Sequence, residues 1–148
     1  MVLRKFAVVP TNGRECLDQC LQALADQVDV TVVVWTSSET PAEGRDVWVK
    51  PNLHVVFDLE APKNISRWWN AGMDYIGTLV DQDTYTWDIA IINDDVIVPP
   101  GWFNAVAGTM RQMQIAAACS GGREPLVRLH TKPGGTILDR LQGFAFML

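Results

Sequence analysis

The sequence predicts an α/β fold with a mainly parallel central sheet. Short runs rich in valine and isoleucine, with almost no polar alternation, are typical of strands covered on both faces. Between them lie segments whose apolar residues recur every three or four positions, as on one face of a helix. Strands that alternate with helices form βαβ units with right-handed crossovers. Because 148 residues suffice for one compact domain, we expect a single domain over residues 1–148.

The first predicted strand covers residues 5–10, a run rich in β-branched residues that ends in proline. Residues 11–27 then change to helical spacing. Asn12 is the predicted N-cap, and Glu15 stands three residues later in the capping-box position. The apolar face of this helix consists of Cys16, Leu17, Cys20, Leu21 and Leu24.

Two more buried strands, over residues 28–36 and 53–59, precede a second predicted helix over residues 60–82. Asn64 or Ser66 is the expected N-cap of this helix, because short polar side chains accept a hydrogen bond from the first turn. Its apolar face consists of Ile65, Trp68, Trp69, Met73, Ile76 and Val80.

The second half of the chain continues the alternation. A strand is predicted over residues 87–93 and a helix over residues 99–113. Further strands are predicted over residues 115–120 and 143–148, with a turn at residues 121–125 after the first of them. The apolar spacing of the helix runs through Phe103, Val106 and Met110.

The composition is that of an ordinary globular protein, with 48% apolar and 20% charged residues. A net charge of −5 disfavours a general nucleic-acid binder, which needs clustered basic residues. We expect no membrane span and a cytoplasmic location, since the sequence has no long apolar run and no signal-peptide pattern. Cys16 and Cys20, four positions apart, are expected to be small buried thiols, the alternative being a metal pair that lacks nearby partners.

Four aromatic residues have roles that the sequence leaves open. Trp68 and Trp69 are adjacent, so we expect one to pack on the sheet, while the other is either partly buried or lines a cleft. His54 lies in or beside a strand and is expected to be structural. His130 precedes a glycine-containing loop and either approaches a ligand or is also structural.

Polar residues follow three of the predicted parallel strands, at residues 11–14, 36–39 and 93–95. Ligands of open α/β sheets bind outside the carboxyl ends of the strands, so these clusters predict a site. Adjacent carboxylates such as Asp94 and Asp95 can hold a hard divalent cation together with substrate phosphates. The alternative is a solvated acidic turn, for which aspartate and asparagine are equally ordinary residues.

Arg14 stands near the start of the first helix, where free N–H groups and the helix dipole favour an anion. It is therefore either an anion-binding residue or a surface arginine. The sequence contains neither the GxxxxGK[ST] nor the GxGxxG pattern of phosphate-binding loops. This disfavours a nucleoside triphosphatase of the phosphate-loop class and a dinucleotide-dependent dehydrogenase.

Four stretches resemble the donor-binding half of glycosyltransferases of the GT-A (Rossmann-like) fold, specifically the large family 2 group. Residues 6–24 (FAVVPTNGRECLDQCLQAL) resemble the family's first strand, nucleotide loop and helix. Residues 64–74 (NISRWWNAGMD) resemble its helix motif ending in Asn-x-Gly. Residues 88–103 (DIAIINDDVIVPPGWF) resemble the strand with the DxD-type acids, and residues 143–148 (GFAFML) resemble the strand that opens the acceptor side.

The resemblance implies a sandwich that binds a nucleotide-diphosphate sugar, with roles for individual residues of this chain. Pro10, Thr11 and Arg14 would line the nucleotide pocket. Asp94 would contact the ribose or sugar of the donor. Asp95 would bind Mn²⁺ or Mg²⁺ bridging the diphosphate.

The resemblance also bears on four further positions. Asn93 stands where many relatives have the first acid of the DxD-type motif. Asn70 belongs to the Asn-x-Gly motif with Gly72, and the resemblance would bring Arg67 to the diphosphate. Thr36 stands where the family usually has an acid that contacts the base, so the identity of the base stays open.

The family's catalytic base lies beyond the strand that matches residues 143–148, where this sequence stops. No catalytic residue is assigned for that reason. We expect either a truncated chain or a natural minimal donor-binding domain without acceptor-side elements. In a truncated chain the final strand would expose apolar surface or be covered by a second copy in a homodimer.

The function expected from the resemblance is a metal-dependent, inverting glycosyltransferase that uses a nucleotide-diphosphate sugar. The acceptor is a glycan, a protein or a modified nucleic-acid base. One alternative is a non-catalytic nucleotide-sugar-binding module or fragment. Another is a nucleotidyltransferase, which would be expected to have a Gly-rich loop with a basic residue after the first strand. Residues 11–15 (TNGRE) match this pattern only weakly, with one glycine and one arginine. Residues 93–103 also resemble bacteriophage glycosyltransferases, which would place the protein in the cytoplasm of the phage host.

Overall fold

A computed structural model of the chain describes residues 2–39, 51–80, 85–114, 118–120, 127–128 and 145–147. Up to residue 113, the described strands and helices follow one another in the order that the periodicity predicts. The elements are β1 (Val2–Thr11), α1 (Leu17–Ala25), β2 (Val30–Trp35), β3 (Leu53–Phe57), α2 (Ile65–Leu79), β4 (Tyr85–Ile92), α3 (Trp102–Met113), β5 (Ala118–Ser120), β6 (Val127–Arg128) and β7 (Ala145–Met147).

The described strands form one sheet in the order β3-β2-β1-β4-β7-β5-β6. The first four strands in this order are parallel to one another, and Thr11, Trp35 and Phe57 lie in register at the ends of β1, β2 and β3. β7 is antiparallel to both β4 and β5, and β5 is antiparallel to β6. The predicted fold class, an α/β fold with a mainly parallel central sheet, is therefore confirmed.

Helices cover both faces of the sheet. α1 and α3 pack on one face, where Leu17, Leu24 and Phe103 are fully buried together with alternate residues of the strands. α2 packs on the other face through Ile76. Because both faces are covered, Val30–Trp35 is buried at every position, which explains why this strand shows no polar alternation.

The strands that the sequence predicts to be buried do form the core, except at the edge of the sheet. Val8, Val33, Ile89 and Ile91 are buried, whereas Val55 on the edge strand β3 is only partly buried. The buried face of α1 contains Leu17, Cys20, Leu21 and Leu24, which are four of the five predicted residues. The fifth, Cys16, precedes the helix as its N-cap and is only partly buried.

The predicted start of α1 is wrong. The helix begins at Leu17, and Cys16 is its N-cap without a side-chain hydrogen bond. Gly13 has a φ of +90°, and its backbone N–H donates to Thr11 Oγ1 at 2.9 Å. These residues form a turn instead of a helix, so Asn12 and Glu15 are not a capping box.

The predicted cap of α2 is confirmed, because Asn64 is the N-cap and its side chain accepts a hydrogen bond from the backbone N–H of Arg67. Close packing brings α2 onto β1 at Gly72. A Cβ atom at that position would lie 2.4 Å from Val8 Cγ1, so only glycine fits without movement of the helix.

The predicted final strand is present as β7, which lies inside the sheet between β4 and β5. β7 is therefore not an edge strand, and the homodimer stays a prediction. The predicted turn at residues 121–125 and His130 lie outside the described residues. None of the helices in the described part of the chain is long and apolar enough to cross a membrane.

Candidate functional site

A cleft of about 290 Å³ opens at the carboxyl edge of the sheet, between the ends of β1, β2 and β4 and the start of α2. The structure brings seven of the nine residues singled out from the sequence to this cleft. They are Pro10, Thr11, Arg14, Thr36, Asn93, Asp94 and Asp95. Four further residues also line it, namely Asn12, Lys63, Ile65 and Trp68. Asn12 belongs to the polar cluster predicted at residues 11–14, and the sequence leaves a place in a cleft open for Trp68, whereas it assigns neither Lys63 nor Ile65 to the site.

Thr11, the last residue of β1, joins three segments of the cleft. Its hydroxyl donates to Asp94 Oδ2 at 2.6 Å and accepts from the backbone N–H of Gly13. Its carbonyl oxygen accepts from the backbone N–H of Thr36 at 2.8 Å and from the Thr36 hydroxyl at 3.0 Å. Because Thr11, Thr36 and Asp94 are all buried, these bonds hold one well-defined arrangement at the base of the cleft.

Asn93, Asp94 and Asp95 form the acidic triplet after β4, and its two acids differ sharply in solvent exposure. The side chain of Asp94 is 7% exposed, whereas that of Asp95 is 52% exposed. Arg14 Nη1 lies 3.3 Å from Asp95 Oδ2 and 3.8 Å from Asp94 Oδ1. Asp94 is thus anchored by Thr11, while Asp95 and Arg14 stand at the open mouth, where solvent weakens an ion pair and leaves both side chains free to take a ligand.

Cys20 lies beneath the acidic triplet. Its thiol donates to the backbone carbonyl of Asn93 at a sulfur–oxygen distance of 3.6 Å. Burial raises the pKa of this thiol to about 12, and the negative charges of Asp94 and Asp95 and the neighbouring Cys16 add to the shift. The thiol is therefore protonated at neutral pH and supports the triplet as a neutral group, not as a nucleophile.

A second cavity, of about 380 Å³, adjoins the cleft at the ends of β2 and β3. Its lining is mostly polar and consists of Asn12, Thr36, Ser37, Ser38, Glu39, Leu59 and Lys63. The two cavities share Asn12, Thr36 and Lys63, so they form one groove along the carboxyl edge of the sheet.

Arg67 and Asn70 are not among the residues that line either cavity. The Arg67 guanidinium binds Asp58 through two hydrogen bonds of 2.7 and 3.0 Å, and it also donates to the carbonyl oxygens of Glu60 and Pro62. These bonds to Arg67 hold the pKa of Asp58 below its usual value. Arg67 therefore anchors the loop between β3 and α2, and Asn70 is exposed on α2.

The aromatic residues of α2 support the wall of the cleft. Trp68 and Trp69 are both partly buried against the core under α2, and Trp68 also lines the cleft. The buried indole N–H of Trp68 has no hydrogen-bond partner within the described residues. His54 contacts Tyr75 through a 2.9 Å hydrogen bond away from the groove, which agrees with its predicted structural role.

The described side chains do not by themselves form a complete metal site. Within the described ranges, no three histidine, cysteine or acidic side chains are grouped as a metal site. Mg²⁺ and similar cations often bind through one or two carboxylates and complete their shell with water and substrate phosphates. Asp94 and Asp95 are adjacent carboxylates that line the cleft, but Asp94 is buried and accepts a hydrogen bond from Thr11, so Asp95 is the carboxylate that is open to solvent.

No model of a known protein family matches the sequence, and no curated protein matches it. Among solved structures, the chain is similar to a crystal structure of 4-diphosphocytidyl-2C-methyl-D-erythritol synthase, with a TM-score of 0.49 and 16% identity over 93% of this chain and 68% of that chain. A likeness at this level carries no argument about activity. On the order and direction of its own strands, the chain has an α/β fold in which four parallel strands adjoin three antiparallel ones, with a polar groove at the carboxyl edge of the sheet.

Proposed function

We propose that the groove binds a nucleotide through its phosphates and that this chain is the nucleotide-binding domain of a transferase. The observation that carries the proposal is the convergence of the Thr11–Asp94 hydrogen bond, the exposed Asp95 and the Arg14 guanidinium at the ends of β1 and β4. This edge of an open α/β sheet is where such folds bind ligands.

Each residue of the cleft has a distinct part in the proposed binding. The hydrogen bond from Thr11 holds Asp94 in one orientation after the end of β4. Because Asp95 is the next residue, this bond also restricts the position of the Asp95 backbone. Asp95, with Asp94 behind it, would hold Mn²⁺ or Mg²⁺, which neutralises charge on a leaving phosphate group. Arg14, close to both acids, adds a cation that can turn towards the phosphates.

Transfer of a sugar from a nucleotide-diphosphate sugar is the first candidate reaction. The loop after β1 contains a single glycine, Gly13, which favours a site for a diphosphate over a Gly-rich cradle for a triphosphate. Inversion at the sugar would require a general base that accepts the proton of the acceptor hydroxyl. We assign that role to no residue of the described chain.

Nucleotidyl transfer is the second candidate, and the position of Arg14 favours it. This arginine follows β1 directly and lies against the acids, where it could contact the phosphates of a nucleoside triphosphate. Titration with a nucleoside triphosphate and with the corresponding diphosphate sugar separates the two reactions. Binding of the sugar nucleotide but not of the triphosphate supports sugar transfer, whereas binding of both supports nucleotidyl transfer, which consumes the triphosphate and forms the sugar nucleotide with release of pyrophosphate.

Nucleotide binding should depend on the cation. In calorimetric titrations with UDP, GDP, TDP and ADP, we expect at least one diphosphate to bind in Mn²⁺. Binding should weaken at least tenfold, about 1.4 kcal/mol, when the metal is chelated or in the variant Asp95→Ala. The reason is that the carboxylates repel the diphosphate unless a cation lies between them.

Asp74→Ala is the matched control, since Asp74 is an exposed acid on α2 that lines neither cavity. It should leave the affinity unchanged. If no nucleoside diphosphate binds in Mn²⁺, or if binding ignores both the chelator and Asp95→Ala, residues 93–95 are only an acidic turn and the proposal is wrong.

A further inference from the structure

Lys63 stands where the two cavities of the groove meet. It lines both the cleft and the second cavity, together with Asn12 and Thr36. Of these three shared residues, Lys63 alone carries a charge. Its side chain is exposed, and its flexible four-carbon stem allows the ammonium group to move along the groove.

The loop that carries Lys63 is anchored at both ends. At its start, the backbone N–H of Asp58 donates to the carbonyl oxygen of Trp35 at 3.0 Å. At its end, Arg67 binds the Asp58 carboxylate and the backbone carbonyls of Glu60 and Pro62. The loop is thereby tied to β2 on one side and to α2 on the other, which fixes the backbone position of Lys63.

The charges of the groove give Lys63 its role. Asp94, Asp95 and Glu39 line the two cavities with negative charge, and Arg14 already lies close to Asp94 and Asp95. A phosphorylated ligand that occupies both cavities would therefore lie close to the ammonium group of Lys63, because Lys63 lines both cavities whereas Arg14 lines only the cleft. An ammonium group binds phosphate as a point charge without strict geometry.

We propose that Lys63 binds the phosphate of a nucleotide ligand at the junction of the two cavities, and that Arg67 is a positioning residue that holds the Lys63 loop. This proposal rests on the proposed function. It also replaces the role that the resemblance implies for Arg67, since the guanidinium of Arg67 is engaged within the loop.

The test compares a nucleoside diphosphate with the corresponding nucleoside, using calorimetry in Mn²⁺ and the diphosphate that binds best to the wild-type protein. Lys63→Gln should weaken binding of the diphosphate at least fivefold and change binding of the nucleoside less than twofold. Lys63→Arg should restore most of the lost affinity, because it keeps the charge.

Lys5→Gln is the matched control, because it removes the same charge from β1 at six residues from Thr11, about 20 Å along an extended strand. It should change neither affinity. Equal losses for nucleoside and diphosphate in Lys63→Gln, or no loss in either, would overturn the role of Lys63.

Asp58→Asn tests the positioning role of Arg67 by weakening its ion pair with the loop. We expect the same selective loss of diphosphate affinity, and the double variant Asp58→Asn with Lys63→Gln should bind no more weakly than Lys63→Gln alone. Additive losses, or a loss of stability without any change in the affinity ratio, would overturn the positioning role.

The outcomes also distinguish a failure of the proposed function from a failure of the role of Lys63. If the wild-type protein binds no nucleotide, both the proposed function and the role of Lys63 are wrong. If the wild-type protein binds and Lys63→Gln binds equally well, only the role of Lys63 is wrong.

Discussion

Thr11 shows how one side chain can determine the geometry of a site. Its hydroxyl is at once a donor to Asp94 and an acceptor from Gly13, and both bonds are 2.9 Å or shorter. A buried carboxylate is costly unless donors satisfy it, so the bond from Thr11 is part of what allows Asp94 to be buried. The same bond orients the acid at the end of β4.

Thr11→Val keeps the shape of the side chain and removes the hydroxyl. Asp94 Oδ2 and the N–H of Gly13 then lose their shared partner, and we expect a loss of about 1–3 kcal/mol in the free energy of unfolding. Thr11→Ser retains the hydroxyl and should lose less than Thr11→Val. Urea unfolding measures both, and equal stabilities of Thr11→Val and the wild-type protein would show that the bond contributes nothing.

The sequence predicts the site residues that lie at the strand ends, but it does not predict Lys63, which lies in a loop. Thr11 and Thr36 directly follow apolar runs and Asp94 follows one after a single intervening residue, so the edge they share follows from the alternation of strands and helices. Lys63 lies in a loop whose direction depends on the bonds that Arg67 makes to Asp58 and to two backbone carbonyls. Periodicity carries no information about such bonds, because they join side chains to irregular backbone.

At the scale of elements, the burial of the apolar face of α1 predicts how substitutions on this helix change stability. Leu24 is fully buried between α1 and the sheet. Leu24→Ala should therefore lower the free energy of unfolding by roughly 2–5 kcal/mol, measured by urea denaturation. Gln22→Ala, on the exposed side of the same helix, should change it by less than about 0.5 kcal/mol. A loss below about half a kcal/mol in Leu24→Ala would mean that α1 faces the wrong way.

The boundaries of the helices and strands show which sequence patterns are sufficient to predict where an element begins. Asn64 caps α2 because its side chain accepts the bond from the first turn, and this pattern is visible in the sequence. Asn12 offers the same pattern, yet Gly13 turns the chain in a left-handed conformation and α1 starts at Leu17. β6, with only Val127–Arg128, depends on pairing with β5 and has no periodicity of its own.

At the scale of the whole molecule, the groove joins segments that are far apart in the chain. The bond between Thr11 and Asp94 spans 83 positions, and that between Thr36 and Thr11 spans 25. Lys63 and Trp68 come from a third region, around the start of α2. The groove therefore exists only when β1, β2, β4 and α2 are assembled, so a ligand that binds there binds the folded state alone.

Ligand binding should consequently stabilise the entire fold. At a concentration of a nucleoside diphosphate 100 times its Kd, in Mn²⁺, the free energy of unfolding should rise by about 2.7 kcal/mol. For a chain of this size the corresponding rise in Tm is roughly 5–10 °C, which scanning calorimetry resolves. In Asp95→Ala, whose Kd is at least tenfold higher, the free energy of unfolding should rise by at most about 1.4 kcal/mol at the same ligand concentration, roughly half of the wild-type rise. The control Asp74→Ala should shift like the wild-type protein. A rise of the same size after chelation, or in Asp95→Ala, would place the bound nucleotide outside the acidic cleft.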